Sequence, residues 1–472
     1  MLQRAVNAEE AVSAEGLEQA RSKMANGGVH ERAIDVFAHY YDQVEAGATG
    51  MIAEADVEPL VHPPRLDDLT PDDAQVREAL AATAVIKLNG GLGTSMGMDR
   101  AKSLLPVRGE RTFLDVIVEQ VRCLRSAYGV DLPLVLMDSF RTRDDTLAAL
   151  GAHDDIAVDG LPLDFLQNRE PKLRADDLTP VEWPADPSLE WCPPGHGDLY
   201  TALEVSGLLQ QLLEHGYRYA SVSNSDNLGA SPDPRMVGWF AASGAPYAAE
   251  VCRRTPADRK GGHLVVRRSD GRLILRETAQ TPAGDADAAS DIDKHRFFHT
   301  NNLWFDLQVL SDTLERTGGV LGLPLIRNEK TVDPTDASSP KVIQIETAMG
   351  AAVEVFDGAV AVEVPRSRFL PVKTTNDLLV LRSDAYSVNE RGHVVLQPES
   401  APLVDLDPAY YKAIADFDAR FPAGPPSLSR ADSLTVRGDW TFEEGVVVDG
   451  AVELRAEDSP ETVEGGSTLR AT

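Results

Sequence analysis

The sequence predicts an α/β fold, and three observations support that prediction. An apolar run over residues 85–88 is typical of a buried strand, and glycines follow it at positions 90, 91, 93 and 97. Thr112 then begins a helix with a capping-box pattern, and an apolar stripe continues to Gly129. A second apolar strand is predicted over residues 132–137. Strand, loop, helix and strand in this order indicate a βαβ unit within a parallel sheet.

The glycine-rich loop, residues 90–102, has the features of a phosphate-binding loop. Its glycines allow an anion to approach the backbone amides, and Lys102 adds a positive charge. A Walker A loop would need glycine directly before the lysine, where this chain has Ala101. The dinucleotide fingerprint would need a third glycine at Met96. A tight turn with a surface lysine is the competing interpretation, but four glycines after a strand favour phosphate binding.

Composition limits the class of protein. The chain has 472 residues, of which 43% are hydrophobic, and 75 acidic residues against 45 basic ones give a net charge of −30. Such a surface repels nucleic acid and anionic membranes. The scattered cysteines lack paired or metal-ligand spacing, and the first residues lack the pattern of a signal peptide. No stretch is long enough to span a bilayer, so we expect a cytoplasmic protein.

The chain divides into three predicted segments. Residues 1–80 form an N-terminal helical segment and linker, with helix expected to about residue 60 and an apolar stripe at Ile34, Phe37, Ala38, Tyr41 and Val44. Residues 81–387 form the main α/β domain. Residues 388–472 form a small β module, because short valine-rich strands alternate there with Gly and Asp.

Two further loops are candidates for chemistry. Pro193–Asp198 is a shaped loop in which His196 stands between glycines, although a surface turn explains it equally well. Asp226 follows an apolar strand over residues 217–223, and a carboxylate there is a candidate Mg²⁺ ligand. An Asx turn is the competing interpretation for Asp226.

Other polar segments leave alternatives open. The polar run 300–302 is interpreted either as a source of amides for sugar hydroxyls or as a plain turn. The cations Arg366, Arg368 and Lys373 favour a second phosphate site over a solvated surface in so acidic a protein. Asp-Gly at 270–271 between two alternating runs predicts a hairpin.

Several separated segments together resemble the eukaryotic-type UTP–glucose-1-phosphate uridylyltransferases, in that family's order. These segments are 88–97, 193–198, 224–230, 300–304, 344–348 and 364–375. The resemblance covers about residues 30–390. It implies a Rossmann-like nucleotidyltransferase core of the GT-A type, N-terminal helices and a small C-terminal module like a left-handed β-helix.

The resemblance also implies roles for residues. The implied nucleotide-binding residues are Leu88, Asn89, Gly90, Gly91, Lys102, Gln167, Gly195 and Lys373. The implied sugar-phosphate-binding residues are Gly90, Gly91, His196, Asn224, Ser225 and Asp226. Lys102, Lys373 and Asp226 are the implied catalytic residues, and Asp226 is the implied ligand of a Mg²⁺ cofactor.

The implied reaction is attack of glucose 1-phosphate on the α-phosphate of UTP, which forms UDP-glucose and pyrophosphate. Ala101 stands where the family usually has proline, so the loop loses some rigidity before Lys102. Ser95 and Met96 stand where relatives acting on other sugars commonly carry arginine, which favours glucose over galactose or N-acetylglucosamine. The alternative hypothesis from a different functional class is a protein that binds a nucleotide sugar without catalysing a reaction. The implied partners are the two small-molecule substrates, UTP and glucose 1-phosphate. The resemblance does not decide whether the protein forms a homo-oligomer.

Overall fold

A computed structural model describes residues 15–255, 258–259, 261–456 and 459–470. Residues 15–26 are helical, and the helix predicted for residues 1–14 lies outside the described residues. The further α-helices of the described chain are α1 (Glu31–Glu45), α2 (Asp73–Ala81), α3 (Phe113–Tyr128), α4 (Arg143–Leu150), α5 (Leu199–Val205), α6 (Leu208–Glu214), α7 (Pro234–Ser243), α8 (Ala286–Ser290), α9 (Leu307–Thr317), α10 (Thr375–Arg382), α11 (Pro408–Tyr411) and α12 (Ile414–Arg420). Among these residues, no helix combines the length and apolar character needed to cross a bilayer.

Short strands separate the helices, which gives the α/β fold that the sequence predicts, although the central sheet is mixed where a parallel sheet is predicted. The strands are β1 (Val57–Pro59), β2 (Thr83–Leu88), β3 (Pro106–Arg108), β4 (Arg111–Thr112), β5 (Leu134–Asp138), β6 (Asp164–Leu166), β7 (Glu170–Pro171), β8 (Leu173–Arg174), β9 (Trp191–Cys192), β10 (Tyr219–Asn224), β11 (Tyr247–Arg253), β12 (His263–Arg267), β13 (Leu273–Arg276), β14 (Phe297–Asp306), β15 (Ile326–Thr331), β16 (Lys341–Glu346), β17 (Val360–Glu363), β18 (Tyr386–Val388), β19 (Val394–Leu396), β20 (Leu403–Leu406), β21 (Ser427–Arg437), β22 (Trp440–Phe442), β23 (Val447–Arg455), β24 (Glu461–Val463) and β25 (Thr468–Arg470).

The chain forms two compact units, and each is built from separate stretches of sequence. The first unit comprises Met1–Ile86, Gly160–Val222 and Pro234–Val364. The second unit comprises Lys87–Asp159, Ser223–Asp233 and Pro365–Thr472. The division falls within β2 and β10. The three consecutive segments predicted from the sequence stay a prediction.

A mixed sheet forms the centre of the first unit. Its strand order is β1-β12-β14-β10-β2, and β11 and β13 pair with β14 and β12. β10 pairs antiparallel with β14, whereas β11 pairs parallel with β17. The predicted hairpin is confirmed, because β12 and β13 pair antiparallel across Gly271, whose φ is 73°.

Helix α1 packs its apolar stripe into the core of the first unit. Phe37 and Tyr41 are among its buried residues, and they pack with Leu173 and Ile345 of β8 and β16. The predicted stripe is therefore confirmed. The prediction of helix to about residue 60 is wrong: α1 ends at Glu45, and the chain then passes through a turn and a short 3₁₀ helix into β1.

In the second unit, the capping box predicted at Thr112 is confirmed. Its hydroxyl accepts a hydrogen bond from the Asp115 amide, and the Asp115 carboxylate accepts one from the Thr112 amide. Helix α3 ends at Gly129, whose φ of 63° belongs to the left-handed region that favours glycine. The following strand, β5, is buried along its whole length. It begins at Leu134, two residues later than the predicted start at residue 132.

The last part of the second unit is built from parallel strands. β20, β21, β23 and β25 pair in parallel in this order, and β22 pairs in parallel with β24. Alternate apolar side chains, such as Leu434, Val436 and Val448, are buried between these rows. Successive parallel strands in two rows are the arrangement of a β-helix. Its left-handed sense stays a prediction.

Candidate functional site

The glycine-rich loop begins where strand β2 ends, in the second unit. Gly93 and Gly97 have φ values of 64° and 71°, which favour glycine, and a short 3₁₀ turn joins them. Gly91 is exposed, and a Cβ atom at this position would meet no other atom within 4 Å. A backbone hydrogen bond closes the loop, in which the Lys102 amide donates to the Gly91 carbonyl at 3.0 Å. The bend therefore leaves open space in front of Gly91 and holds Lys102 close to it.

Lys102 and Asp226 form an ion pair in the second unit. Lys102 Nζ donates to Asp226 Oδ2 at 2.6 Å, and both side chains are largely buried. The Asx-type contact of this loop is made by Asn227, whose Oδ1 accepts from the Gly229 amide at 3.2 Å. The carboxylate of Asp226 thus meets the loop lysine in a charge-assisted hydrogen bond, which places one anionic and one cationic group beside the glycine-rich loop.

Asn89 joins several elements of the second unit through its side chain. Its Nδ2 donates to Asp138 Oδ1 at 2.7 Å and to Thr146 Oγ1 at 2.9 Å. Its Oδ1 accepts from Ser225 Oγ at 3.0 Å, and the Ser225 amide donates to the Leu88 carbonyl at 3.0 Å. Asn89 is 1% exposed. Its side chain therefore stabilises the start of the glycine-rich loop through buried hydrogen bonds. The binding roles of Asn89 and Ser225 stay predictions.

The segment that carries Lys373 lies against the Asp226 loop. The Val372 amide donates to the Asp226 carbonyl at 3.4 Å, and the Leu370 amide donates to Asn227 Oδ1 at 2.8 Å. Lys373 follows directly and its side chain is exposed. The second unit therefore brings Lys102 and Asp226 together with the segment that ends in Lys373.

The other two cations of that segment do not form the predicted cluster. Arg368 is buried, and its Nη1 donates to the Ser231 carbonyl at 2.8 Å. Arg366 stacks on Phe369, with 5.3 Å from its guanidinium carbon to the ring centroid. The prediction that Arg368 belongs to a second phosphate site is therefore wrong, because the fold uses its buried guanidinium to hold a neighbouring loop.

In the first unit, the loop around His196 is fixed by close backbone packing. Gly195 has φ 78° and ψ 176°, a region essentially restricted to glycine. The Thr347 amide donates to the Pro194 carbonyl at 3.0 Å, and the Gly197 amide donates to the Thr347 carbonyl at 2.8 Å. The loop is therefore a built element of the unit, not a loose surface turn.

The geometry also fixes the tautomer of His196. The Met349 amide donates to His196 Nδ1 at 2.9 Å, so the neutral ring carries its proton on Nε2. Burial lowers the pKa of His196, although Glu346 acts in the opposite direction. The ring is thus kept neutral with a hydrogen-bond donor at Nε2, which suits contact with an oxygen-rich ligand.

Gln167 directly precedes a clamp between two loops of the first unit. The Asn168 amide donates to Asp198 Oδ2 at 2.6 Å, and Asn168 Nδ2 donates to Asp198 Oδ1 at 2.8 Å. Burial raises the pKa of Asp198 to about 6, although these hydrogen bonds act against the rise. Because Asp198 closes the loop that holds His196, these bonds tie the residue after Gln167 to the loop that carries Gly195 and His196.

The polar run 300–302 lies within strand β14, so of the two open interpretations the plain turn is wrong, and contact with sugar hydroxyls stays a prediction. Asn301 has φ 60°, and the pairing with β11 shifts register close to it. Asn302 and Trp304 both donate to the carboxylate of Glu250, at 3.0 and 2.9 Å. These side chains satisfy a buried charge of the first unit.

Sequence reasoning missed three residues close to the predicted ones. Lys87 is buried, and its Nζ donates to Ser223 Oγ at 2.7 Å and to the Ala230 carbonyl at 3.0 Å. Asp138 ends strand β5 and holds Asn89, and Asp198 holds Asn168. A carboxylate just past an apolar strand was the signal used for Asp226, and the same signal was present at Asp138.

The described residues contain no group of three or more His, Cys, Asp or Glu side chains placed to hold a metal ion. Asp226 supplies one carboxylate, and Lys102 occupies one of its two oxygens. Mg²⁺ is often bound by one or two carboxylates together with substrate phosphates. The residues of the second unit therefore fit a substrate-borne Mg²⁺ and do not form an all-protein cage.

Comparison with known proteins identifies the relatives of this chain. The family model described as UTP–glucose-1-phosphate uridylyltransferase matches residues 34–449. The enzyme of that name from Solanum tuberosum is 40% identical over 397 residues, which are 83% of this chain and 80% of the relative.

Solved structures agree with the sequence comparison. A mutant UDP-glucose pyrophosphorylase from Leishmania major in complex with UDP-glucose has a TM-score of 0.90 and 43% identity, covering 97% of this chain and 98% of its own. A UDP-glucose phosphorylase from Trypanosoma brucei has a TM-score of 0.87 and 41% identity, covering 97% of this chain and 100% of its own. The chain therefore belongs to the UTP–glucose-1-phosphate uridylyltransferase family.

Proposed function

We propose that this protein transfers the uridylyl group of UTP to glucose 1-phosphate. A phosphate oxygen of glucose 1-phosphate attacks the α-phosphorus of UTP, the bond to the bridging oxygen breaks, and pyrophosphate leaves with that electron pair. UDP-glucose is the other product. Membership of the family is the observation that carries this proposal, and the name of the relative from Solanum tuberosum describes the same reaction.

The glycine-rich loop and Lys102 support the proposal from the side of the phosphates. Two polyanions must approach one another, so the main tasks of the protein are positioning and stabilisation of negative charge. The open space in front of Gly91 suits a phosphate chain, and Lys102 is held beside it by its backbone hydrogen bond and by Asp226. We assign Lys373 to the same phosphates, because its segment is bonded to the Asp226 loop.

The resemblance assigns the base and the sugar phosphate to further residues. Leu88, Gln167 and Gly195 would surround uracil, and His196 would contact the phosphosugar through its Nε2–H. Asn224 and Ser225 would meet the substrates beside Asp226. The support from this chain is the fixed backbone of the Gly195 loop and the defined tautomer of His196.

We also propose Mg²⁺ as cofactor, held by Asp226 together with the substrate phosphates. When bound, Mg²⁺ neutralises phosphate charge and orients the triphosphate. The carboxylate of Asp226 also holds Lys102, so the position of the lysine depends on the same residue. We further propose a reducing compartment, since Cys123, Cys192 and Cys252 are not joined by disulfide bonds.

Pyrophosphate release by the purified protein tests the function. The protein is mixed with UTP, Mg²⁺ and, in separate reactions, the 1-phosphates of glucose, galactose and N-acetylglucosamine. We expect release with glucose 1-phosphate, well above the other two sugars. No release with glucose 1-phosphate would refute the function, and equal release with all three would refute the sugar assignment.

Two further measurements separate the remaining possibilities. Calorimetric binding of UDP-glucose without any turnover would indicate a non-catalytic nucleotide-sugar-binding protein. Removal of Mg²⁺ with a chelator should abolish release, and addition of Mg²⁺ should restore it. Undiminished activity in the chelator would refute the cofactor assignment and leave the transfer reaction standing.

A further inference from the structure

Asp138 is a buried carboxylate that the reaction described above does not use. It ends strand β5 and is 0% exposed. Its Oδ1 accepts hydrogen bonds from Asn89 Nδ2 at 2.7 Å, Thr142 Oγ1 at 3.1 Å and Thr146 Oγ1 at 3.3 Å. A carboxylate is costly to bury, and such a group persists where its hydrogen bonds hold surrounding elements together.

The contact with Asp138 determines which way the Asn89 amide faces. The Oδ1 of Asp138 accepts hydrogen bonds from the hydroxyls of Thr142 and Thr146, so it acts as an acceptor and the Nδ2 of Asn89 points toward it. The Oδ1 of Asn89 consequently faces Ser225 and accepts from its hydroxyl at 3.0 Å. The reversed amide would place its oxygen against the accepting oxygen of Asp138.

Ser225 leads directly to the ion pair of the second unit. Its amide donates to the Leu88 carbonyl at 3.0 Å, which joins the Asp226 loop to the start of the glycine-rich loop. The next residue, Asp226, holds Lys102 at 2.6 Å. A continuous series of contacts therefore runs from Asp138 through Asn89 and Ser225 to the proposed catalytic pair.

We propose that Asp138 is a positioning residue for uridylyl transfer, which holds the Asp226–Lys102 pair in place through Asn89 and Ser225. The inference rests on the proposed function. Asp138 supplies an acceptor oxygen at a fixed point, and its negative charge is secondary. Loss of that oxygen releases the Asn89 amide, so the Asp226 loop loses one of the contacts that hold it to the glycine-rich loop.

The test compares Asp138→Ala with Asp138→Asn. The alanine variant removes the acceptor, and a displacement of about 1 Å in a reacting group can lower the rate about a hundredfold. We expect kcat to fall by about 10- to 100-fold and KM for glucose 1-phosphate to change less. The asparagine variant keeps an oxygen that accepts from Asn89, so kcat should stay within about threefold. Equal losses in both variants would overturn the role of the acceptor.

Asp384→Ala is the matched control in the second unit. The Asp384 carboxylate accepts from the amides of Leu428 and Ser429 at the start of β21, outside the series of contacts from Asp138. We expect a lower melting temperature and an unchanged kcat at a temperature where the protein is folded. A fall in kcat for Asp384→Ala as large as that for Asp138→Ala would overturn the assigned route.

Hydrogen–deuterium exchange supplies a measurement that does not depend on activity. Asp138→Ala should speed amide exchange in residues 224–229, and Asp138→Asn should not. Ser225→Ala breaks the same series without a large cavity, and it should speed exchange in the same residues even if Asp138→Ala does not fold. Unchanged exchange in Ser225→Ala, or in a folded Asp138→Ala, would overturn the proposal. Absence of pyrophosphate release by the unsubstituted protein would instead refute the proposed function.

Discussion

The substitution Gly195→Ala tests the conformation of the loop that carries His196. Gly195 has φ 78° and ψ 176°, where any residue with a Cβ atom is strained by about 1–3 kcal/mol. The added Cβ would lie 2.5 Å from the carbonyl oxygen of Thr347 and 2.9 Å from its nitrogen. These are backbone atoms of a segment already bonded to the loop, so they cannot move aside cheaply. Overpacking of this kind costs about 1–3 kcal/mol more.

The two effects together should lower the free energy of unfolding by about 2–6 kcal/mol. Gly47→Ala is the matched control in the first unit, because Gly47 has a φ of 79° but open space at its Cβ position. It bears the cost of the left-handed backbone alone, about 1–2 kcal/mol. Urea denaturation followed by circular dichroism measures both variants, and the KM for UTP shows whether the loop has moved.

The comparison between the two variants shows whether the close approach to Thr347 is what restricts position 195 to glycine. We expect a larger loss of stability in Gly195→Ala than in Gly47→Ala, and a raised KM for UTP in Gly195→Ala alone. If the two variants lose the same free energy of unfolding, the close approach to Thr347 is not what restricts position 195. If stability falls as expected but the KM for UTP is unchanged, the loop does not contribute to nucleotide binding.

Three further predictions concern both units. Lys102→Ala should lower the rate of pyrophosphate release by about a hundredfold or more, because a preorganised positive charge is lost. The control variant Lys341→Ala, at an exposed lysine, should change the rate by less than about twofold. A loss of only a few fold in Lys102→Ala would refute the role of Lys102. Asp198 binds its proton more tightly in the folded protein, since its pKa is about 6. Its ionisation therefore lowers the free energy of unfolding by about 3 kcal/mol in total, of which about 2 kcal/mol is lost as pH rises from about 4 to about 6. Asp198→Asn should remove that decrease from denaturation curves recorded across this range, and an identical pH dependence would contradict the assignment. Gly229→Ala should lower the free energy of unfolding by about 1–3 kcal/mol, because the added Cβ would lie 2.8 Å from the carbonyl carbon of Arg368. A decrease below about 0.5 kcal/mol, which is usual for a neutral surface substitution, would refute the packing argument.

The sequence was informative wherever the physical cause of a feature is local. The capping box at Thr112 needs only residues three apart, and the hairpin at Gly271 needs only a turn between alternating strands. The glycine-rich loop was likewise recognisable from a strand followed by glycines. These predictions are confirmed for the elements themselves, although the ends of β5 and β10 differ by one or two residues from the predicted ends.

The remaining features depend on contacts between distant residues. The sequence places Arg368 in a phosphate site because nothing in the neighbouring residues indicates that its guanidinium donates to the Ser231 carbonyl. Asn89 and Ser225 meet across 136 positions of sequence, so their hydrogen bond was not predictable from spacing. The run 300–302 appeared turn-like because its residues favour turns, but the buried carboxylate of Glu250 holds Asn302 within a strand.

The parallel strands at the end of the second unit differ in kind from the rest of the chain. Each strand from β20 to β25 pairs with the strand one coil earlier or later, so each coil depends mainly on its immediate neighbours. In such a stack, length can change by whole coils without disturbing distant parts of the protein. The family match ends at residue 449, inside β23, while the stack continues to Arg470. By this nearest-neighbour argument the module tolerates changes of whole coils, whereas the glycine-rich loop depends on a hydrogen bond between Asn89 and Ser225, which lie 136 positions apart.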